Sequence, residues 1–435
     1  MKTIMIIIGG TGDLMTRKML RPLLELFKEK PDTFPDEIYG CGYEDFDDDA
    51  YRAWIQEKLG ASIPIDDEFL QRFRFAYVDF TQEKTFQAVN EIVGAHTDDR
   101  IILYLACSPL WYTQVLGYLS MVCDHLEACP LLSIVIEKPY GLDLLSAEKN
   151  EKMLLELAPE SRIWRVDHYI PKDGMQDIGK LRDIISKHRI IWDHTTVQSI
   201  VIHLLEPALN PARIAYYNTT GALVDVGQNH VLEMIAYMLT DQPGDHTYTQ
   251  ESEMRQEVIQ SLSLDTSGEV LRGQYDTYPK YNWDTETFAY FVLKSSLPAW
   301  QGVPIICAMG KGFQEKDSSI TVKIRSNARN ILSEVSSLVW EIEPHECIKI
   351  ETRITAPQQD LHTLCFPHAQ KSGEYREVFQ DIFSGSHAYG VSHNEVMASW
   401  RLTDEIREKM DGATFITYRE GVSFQDFSSQ FLPTI

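Results

Sequence analysis

The 435-residue sequence contains no C-x-x-C pair, no internal repeat, no low-complexity tract and no apolar run of membrane-spanning length. Its seven cysteines, at 41, 107, 123, 129, 307, 347 and 365, are odd in number and scattered. Such usage speaks against a disulfide framework or a bound metal and for reduced, cytoplasmic thiols. Positive charge is scarce. Forty Lys and Arg face 64 Asp and Glu, a formal net charge of -24. A chain this acidic repels nucleic acid and anionic membrane, so neither is expected as a partner. It also repels phosphorylated ligands at long range, so any phosphate site must carry its own cluster of Lys, Arg and His. Met1-Lys2-Thr3 leads straight into Ile4–Ile8. That run is too short for a span and lacks the small-residue cleavage site of a secretory signal, so it is expected to be a buried strand.

Hydrophobic residues make up 44% and charged residues 24%, the balance of a globular protein, and the length suits two large domains. Up to about residue 172, strand-like runs (Ile4–Ile8, Glu37–Gly42, Phe73–Val78, Ile101–Ala106, Leu131–Glu137, Ile163–Val166) alternate with amphipathic stretches such as Arg17–Lys28 and Ala50–Leu59. That alternation predicts a parallel sheet covered on both faces. Further on, helical patterns near 175–188, 223–239, 374–383 and 393–410 bracket strands near 195–205 and at Phe288–Leu293, Ser319–Arg325, Ser337–Glu343 and Ile348–Thr355. Bunched strands predict an antiparallel sheet. The expected fold class is α/β: a Rossmann-like dinucleotide-binding domain over 1–172, then a larger α+β domain with a mainly antiparallel sheet over 173–435.

Gly9-Gly10-Thr11-Gly12-Asp13-Leu14 follows the first strand and opens a helix. One glycine permits a tight turn and another lets a pyrophosphate approach the backbone at the helix N-terminus. The spacing is G-x-x-G, not the full G-x-G-x-x-G fingerprint, so an ordinary strand-to-helix turn stays open. Arg17 and Lys18 add local positive charge. The second strand ends at Gly42-Tyr43-Glu44-Asp45. An acid there hydrogen-bonds a ribose 2′-hydroxyl and repels a 2′-phosphate. The plainer reading is that these acids start the next helix, as Asp47–Asp49 are expected to do.

Four further segments combine chemically active residues. Ile136-Glu137-Lys138-Pro139-Tyr140-Gly141 ends one strand and Arg165-Val166-Asp167-His168-Tyr169-Ile170-Pro171-Lys172 ends another. Asp225-Val226-Gly227-Gln228-Asn229-His230 opens a long helix, and Gly310-Lys311-Gly312 with Lys316 lies between strands. Singly, each has a bland reading as solvated or core-satisfied residues. Their order and their placement at strand ends favour a site.

These segments, with Tyr104-Leu105-Ala106-Cys107-Ser108-Pro109, Glu206-Pro207 and Trp300-Gln301-Gly302-Val303-Pro304, make the chain resemble the glucose-6-phosphate dehydrogenase family from Gly9 to about Trp400. The shared patterns are GxxGDL, YLAxxP, EKPxG, DHYxxK and DxxQNH. The resemblance implies oxidation at C1 of a hexose 6-phosphate, with NAD or NADP as acceptor. It implies His230 as the base, since an imidazole titrates near neutrality, and Asp167 as the carboxylate that orients it. It assigns His168, Tyr169 and Lys172 to the substrate phosphate, with Lys311 and Lys316 closing on it. Lys138 would bridge cofactor and sugar, and Glu206 and Asp225 would accept ring hydroxyls. Gly9, Thr11, Gly12, Asp13, Leu14, Glu44, Asp45, Ala106, Pro109, Tyr112, Glu137 and Lys138 would line the cofactor. Arg213 and Tyr216 are secondary members of the site. A homodimer or dimer of dimers is also implied.

Departures from the family pattern refine this. Asp45 aligns where NADP-using members carry Arg, which favours NAD. Val224 replaces an Arg, Pro171 replaces the glycine of DHYxGK, and Glu343 stands where a substrate-contacting Gln is common. The tail Thr414–Ile435 is expected to fall outside the pattern. The phosphate contacts survive while sugar-side positions change, so the sugar is glucose or a relative. The alternatives are a dehydrogenase of another sugar phosphate or at another carbon, and a catalytically silent regulatory paralogue. The latter should have lost the base or the phosphate cluster, yet Asp167, His168, Lys172 and His230 are all present.

Overall fold

The computed structural model describes residues 1–60, 63–122, 129–240, 248–279, 284–328, 331–353, 362–364 and 373–433. The chain forms two compact units, Met1–Pro171 with Ala369–Val396, and Lys172–His368 with Met397–Ile435.

The first unit is built on six parallel strands: β1 (Thr3–Ile8), β2 (Glu37–Gly42), β3 (Phe73–Tyr77), β4 (Arg100–Leu105), β5 (Leu132–Glu137) and β6 (Ile163–Val166). Their order is β3-β2-β1-β4-β5-β6. Ile4–Ile8 are wholly buried, as a strand covered on both faces requires. Between the strands run helices that include Leu20–Glu29, Asp48–Leu59, Gln87–Ala95, Tyr112–Val122 and Leu144–Leu157. Asp47 caps the second of these by accepting the Ala50 amide at 2.8 Å, with Asp48 and Asp49 in its first turn. Strand order reverses between β1 and β4. In such sheets ligands bind outside the carboxyl ends of the strands at that switch point. The turn after β1, Ala106–Pro109 after β4, Lys138 after β5 and Asp167–Tyr169 after β6 all lie at carboxyl ends.

Ala369–Val396 belongs to this unit although it lies within the range 173–435 that the sequence assigned to the second domain. Tyr375, Val378, Phe379, Ile382 and Phe383, on the helix Glu374–Ser384, join the same core as Phe34 and Tyr104. Ring centroids of Phe34 and Phe383, and of Tyr104 and Phe379, are 5.9 Å apart. An antiparallel bridge between Val166 and Gly390 anchors the stretch.

The second unit contains β7 (Val197–Leu205), β8 (Leu262–Leu264), β9 (Leu271–Tyr275), β10 (Phe288–Ser295), β11 (Ile305–Gly310), β12 (Asp317–Ile324), β13 (Val335–Glu343), β14 (Cys347–Thr352), β15 (His362–Leu364) and β16 (Thr414–Tyr418). The sheet runs β15-β14-β13-β12-β7-β11-β10-β9-β16, with β8 paired to β10. Pairing is antiparallel except for β7 with β11 and β9 with β16. The helix Asp173–Lys187 lies close on β13, because a Cβ on Gly174 would fall 2.7 Å from the Ile342 Cα. The helical run expected over 223–239 has two parts. Leu223–Val231 is a π-helix and Leu232–Leu239 an α-helix. The C-terminal tail completes the sheet as β16, then sends the helix Phe424–Phe431 onto it, where Phe427 packs 4.6 Å from Phe288.

The described cysteines 41, 107, 129, 307 and 347 are buried, and none of them forms a disulfide. Cys123 and Cys365 lie outside the described residues. Among the described residues no helix is long and apolar enough to cross a membrane.

Candidate active site

In the first unit the turn after β1 is fixed by its glycines. Gly9 has φ +97°, which side chains rarely adopt, and a Cβ on Gly10 would sit 2.5 Å from the Gly40 Cα. The Gly9 and Gly10 amides both donate to the Cys41 carbonyl, at 3.0 and 2.8 Å. Tyr51 donates to the Gly10 carbonyl at 2.8 Å. The turn is therefore tied to β2. At Gly12 an added Cβ would meet only the Gly9 carbonyl, at 3.2 Å, and the helix begins at Asp13 with Leu14 half-buried behind it. Thr11 donates its hydroxyl to Glu44 at 2.7 Å, joining the turn to the acid after β2, while Asp45 is exposed.

Ala106 abuts the same turn: its amide donates to Ile8 at 2.9 Å, and its carbonyl lies 3.1 Å from where a Gly9 Cβ would be. Pro109 opens the short helix that leads to Tyr112. Tyr112 and Glu137, both expected to line the cofactor, turn their polar ends inward. The Tyr112 hydroxyl donates to the Glu137 carbonyl at 2.9 Å, and the Glu137 carboxylate accepts the hydroxyls of Tyr104 and Tyr375. Burial pushes the Glu137 carboxyl up to about 7 against those two hydrogen bonds.

Lys138 donates to Asp167 at 2.6 Å, and both side chains are nearly inaccessible. The other Asp167 oxygen accepts the Tyr169 amide at 2.9 Å, so the carboxylate is held from two sides. The His168 ring stacks on Tyr375 (5.8 Å) and meets Tyr169 edge-on (5.7 Å). Tyr375 carried no local signal in the sequence, since it comes from the stretch that returns to this unit late in the chain.

In the second unit the expected site residues gather into two charged groups. In the first, Glu206 and Lys311 directly follow β7 and β11, which pair in parallel with Leu205 opposite Gly310, so the two residues emerge side by side. Lys311 is buried, donates to Glu206 and lies 3.1 Å from Asp225, which also meets Arg213 at 3.3 Å. Burial would raise the Asp225 carboxyl, but Lys311 and Arg213 outweigh it and hold it below its usual value. For Lys311 burial acts downward, and the carboxylates of Asp225 and Glu206 lift it above its usual value. Asp225 and His230 are five residues apart. A π-helix closes i→i+5 hydrogen bonds, so its winding brings such residues onto one face. His230 accordingly acts on the Asp225 charge. Asn229 steadies the turn, accepting the His230 amide at 2.7 Å and donating to the Val224 and Asp225 carbonyls at 3.1 and 3.2 Å. Gln228 donates to Ser399 at 2.9 Å.

The second group joins Lys172, the residue before the helix Asp173–Lys187, with Lys316, just before β12, and Glu343, the last residue of β13. Both ammonium groups lie 2.9 Å from the same Glu343 oxygen. Burial would raise that carboxyl, but the two lysines hold it at about 2. The resemblance grouped Lys311 with Lys316 around a phosphate; the structure gives them different partners.

The chain matches two family models, "Glucose-6-phosphate dehydrogenase, NAD binding domain" over residues 6–177 and "Glucose-6-phosphate dehydrogenase, C-terminal domain" over residues 180–432. The second match takes in nearly all of Thr414–Ile435, which corrects the expectation that this tail departs from the family; β16 and its helix are part of the sheet domain. The chain is 26% identical over 474 residues to a glucose-6-phosphate 1-dehydrogenase of Gluconobacter oxydans (98% of this chain, 95% of that one). It is 24% identical over 442 residues to the cytoplasmic glucose-6-phosphate 1-dehydrogenase 6 of Arabidopsis thaliana (93% and 85%). The fold is that of a glucose-6-phosphate dehydrogenase solved with its substrate glucose 6-phosphate, at TM-score 0.82, 21% identity and coverage of 100% and 98%.

Proposed function

Because this chain belongs to the glucose-6-phosphate dehydrogenase family, whose members are NAD(P)-dependent oxidoreductases acting on CH–OH, we propose that it oxidises C1 of a hexose 6-phosphate, glucose 6-phosphate or a close relative, to the 6-phospho-lactone with NAD as preferred acceptor. The observation that carries this reading is the π-helical turn of Leu223–Val231, which groups His230 with an ionised Asp225 and, through it, with Lys311 and Glu206.

A dinucleotide fits the first unit. The turn after β1 offers backbone at a helix start, where only the Gly9 carbonyl lies near a Cβ placed on Gly12, and the flanking acids suit a ribose diol. Gly9, Thr11, Gly12, Asp13 and Leu14 would hold the pyrophosphate side, Glu44 and Asp45 the adenosine ribose, and Ala106 and Pro109 the strand-end wall. Tyr112 and Glu137 contribute from behind that wall, since their polar groups are engaged within the protein. A nicotinamide held there would supply the acceptor for the hydride that leaves C1.

The chain's own residues do the rest. His230 takes the proton of the C1 hydroxyl, and Asp167 steadies the imidazolium so formed. Glu206 and Asp225, both paired with Lys311, accept hydrogen bonds from ring hydroxyls. Lys138, paired with Asp167, contacts the sugar beside the cofactor. His168, Tyr169, Lys172 and Lys316 bind the 6-phosphate and supply the local positive charge that an acidic chain needs. Residence in the cytoplasm and assembly as a homodimer or dimer of dimers belong to the same reading.

A second reading, action on another sugar phosphate, draws on Glu343 and Val224, two departures from the family pattern. Absorbance at 340 nm with a panel of hexose phosphates and free hexoses, each offered NAD and NADP, tests both. The expected result is turnover of a hexose 6-phosphate, a far poorer rate with the unphosphorylated sugar, a lactone product by NMR and a higher kcat/KM with NAD. A keto-sugar product, or equal rates with and without phosphate, would refute the proposal.

A further inference from the structure

Glu343 is an acceptor shared by the two lysines assigned to the substrate phosphate. One carboxylate oxygen lies 2.9 Å from both the Lys172 and the Lys316 ammonium groups. The fold builds this junction from three directions. Lys316 precedes β12 and Glu343 ends the antiparallel β13, with Ser318 opposite Glu343 in register. Lys172 is brought in by the helix that rests on β13 at Gly174. Lys172 is about nine-tenths buried and Glu343 mostly so, which limits screening by solvent.

We propose that Glu343 is a specificity-determining residue: a tethered carboxylate that occupies the two-lysine anion seat and that an incoming anion must displace or repel. The inference rests on the reading of Lys172 and Lys316 as phosphate ligands. A tethered carboxylate competes at high effective concentration. A free monoanion of the same charge gains nothing by replacing it. A phosphate ester dianion has more charge and three oxygens, enough to engage both ammonium groups. Glu343 therefore weakens phosphate binding in absolute terms and rejects carboxylates and simple monoanions more strongly. Held at about 2 by its partners, the carboxyl stays ionised across the working pH range, so the competition does not relax near neutrality.

Calorimetric titration of inorganic phosphate, and separately of acetate, into the full-length protein tests this without relying on turnover. Glu343→Gln keeps the shape and removes the charge. It is expected to bind phosphate on the order of tenfold more tightly than wild type. Acetate is expected to bind measurably only to the variant. Glu343→Ala should move in the same direction, and circular dichroism shows which variants are folded. Unchanged or weaker phosphate binding in a folded variant overturns the proposal. So does an absence of phosphate binding in both wild type and variant, because the lysine pair is then not an anion seat. If wild type fails to oxidise hexose phosphates while Glu343→Gln still gains phosphate affinity, the functional reading fails and this one stands.

Discussion

Lys311 and Lys172 look alike in the sequence, as lysines in polar segments, yet they do different work because of their counter-ions. Lys311 is buried between Glu206 and Asp225, and its charge helps to hold the buried Asp225 carboxyl below its usual value. Lys172 shares Glu343 with Lys316. The types and strand-end positions of these residues were legible. Their partners were not, because Glu343 reaches the lysines through antiparallel pairing and Tyr375 reaches His168 from a segment more than 200 residues later. Asp45 is exposed three residues past the end of β2, beside a Glu44 already committed to Thr11. Asp45→Arg exchanges repulsion of a 2′-phosphate for attraction. It is expected to move the NADP/NAD ratio of kcat/KM toward NADP by roughly tenfold to a hundredfold. A ratio that does not move means that Asp45 is not the discriminating residue.

At the scale of elements, the parallel sheet could be read directly from the sequence. Strands buried on both faces appear as unbroken apolar runs, and Ile4–Ile8 is the clearest of them. The π-helical winding of Leu223–Val231 could not be read so. An apolar pattern reports a helix, but not whether its hydrogen bonds close at four residues or five. β16 was hidden for a related reason: a short strand pairing in parallel with β9, about 140 residues earlier, leaves little local trace. Contact between elements gives a second prediction. Gly174 lets the helix Asp173–Lys187 rest against β13, and the nearest atom to an added Cβ is the Ile342 Cα at 2.7 Å, a backbone atom that cannot swing aside. Gly174→Ala is expected to cost about 1–3 kcal/mol of stability in chemical denaturation. It should also raise KM for the sugar phosphate, because Lys172 lies at the start of that helix. A variant with wild-type stability and KM would show that the helix has room to move.

At the scale of the whole molecule, each unit is assembled from two stretches of chain. The apolar face of the helix Glu374–Ser384 explains why Ala369–Val396 joins the first unit, although its position in the sequence suggests the second. Stability of the whole also registers the buried Glu137. Its carboxyl stands at about 7 in the fold against an ordinary 4.5, so between those values the folded state holds a proton that the unfolded chain has released. Stability from this residue therefore falls as pH rises from 4.5 to 7, and its full cost is present above 7. Glu137→Gln removes that cost. The variant is expected to gain on the order of 1–3 kcal/mol over wild type at pH 8, a gain that disappears near pH 4.5. An equal gap at both pH values would mean that the carboxyl does not titrate as the fold implies.

On the proposed reading, His230 removes the C1 hydroxyl proton of a sugar phosphate. General-base catalysis contributes about a hundred- to ten-thousandfold. The direct measurement is kcat of His230→Asn on the hexose 6-phosphate that wild type oxidises, together with substrate affinity of both proteins. The expected result is a fall in kcat of that size with nearly unchanged binding of the sugar phosphate, because its phosphate ligands lie elsewhere in the chain. A His230→Asn protein with near wild-type kcat would contradict it.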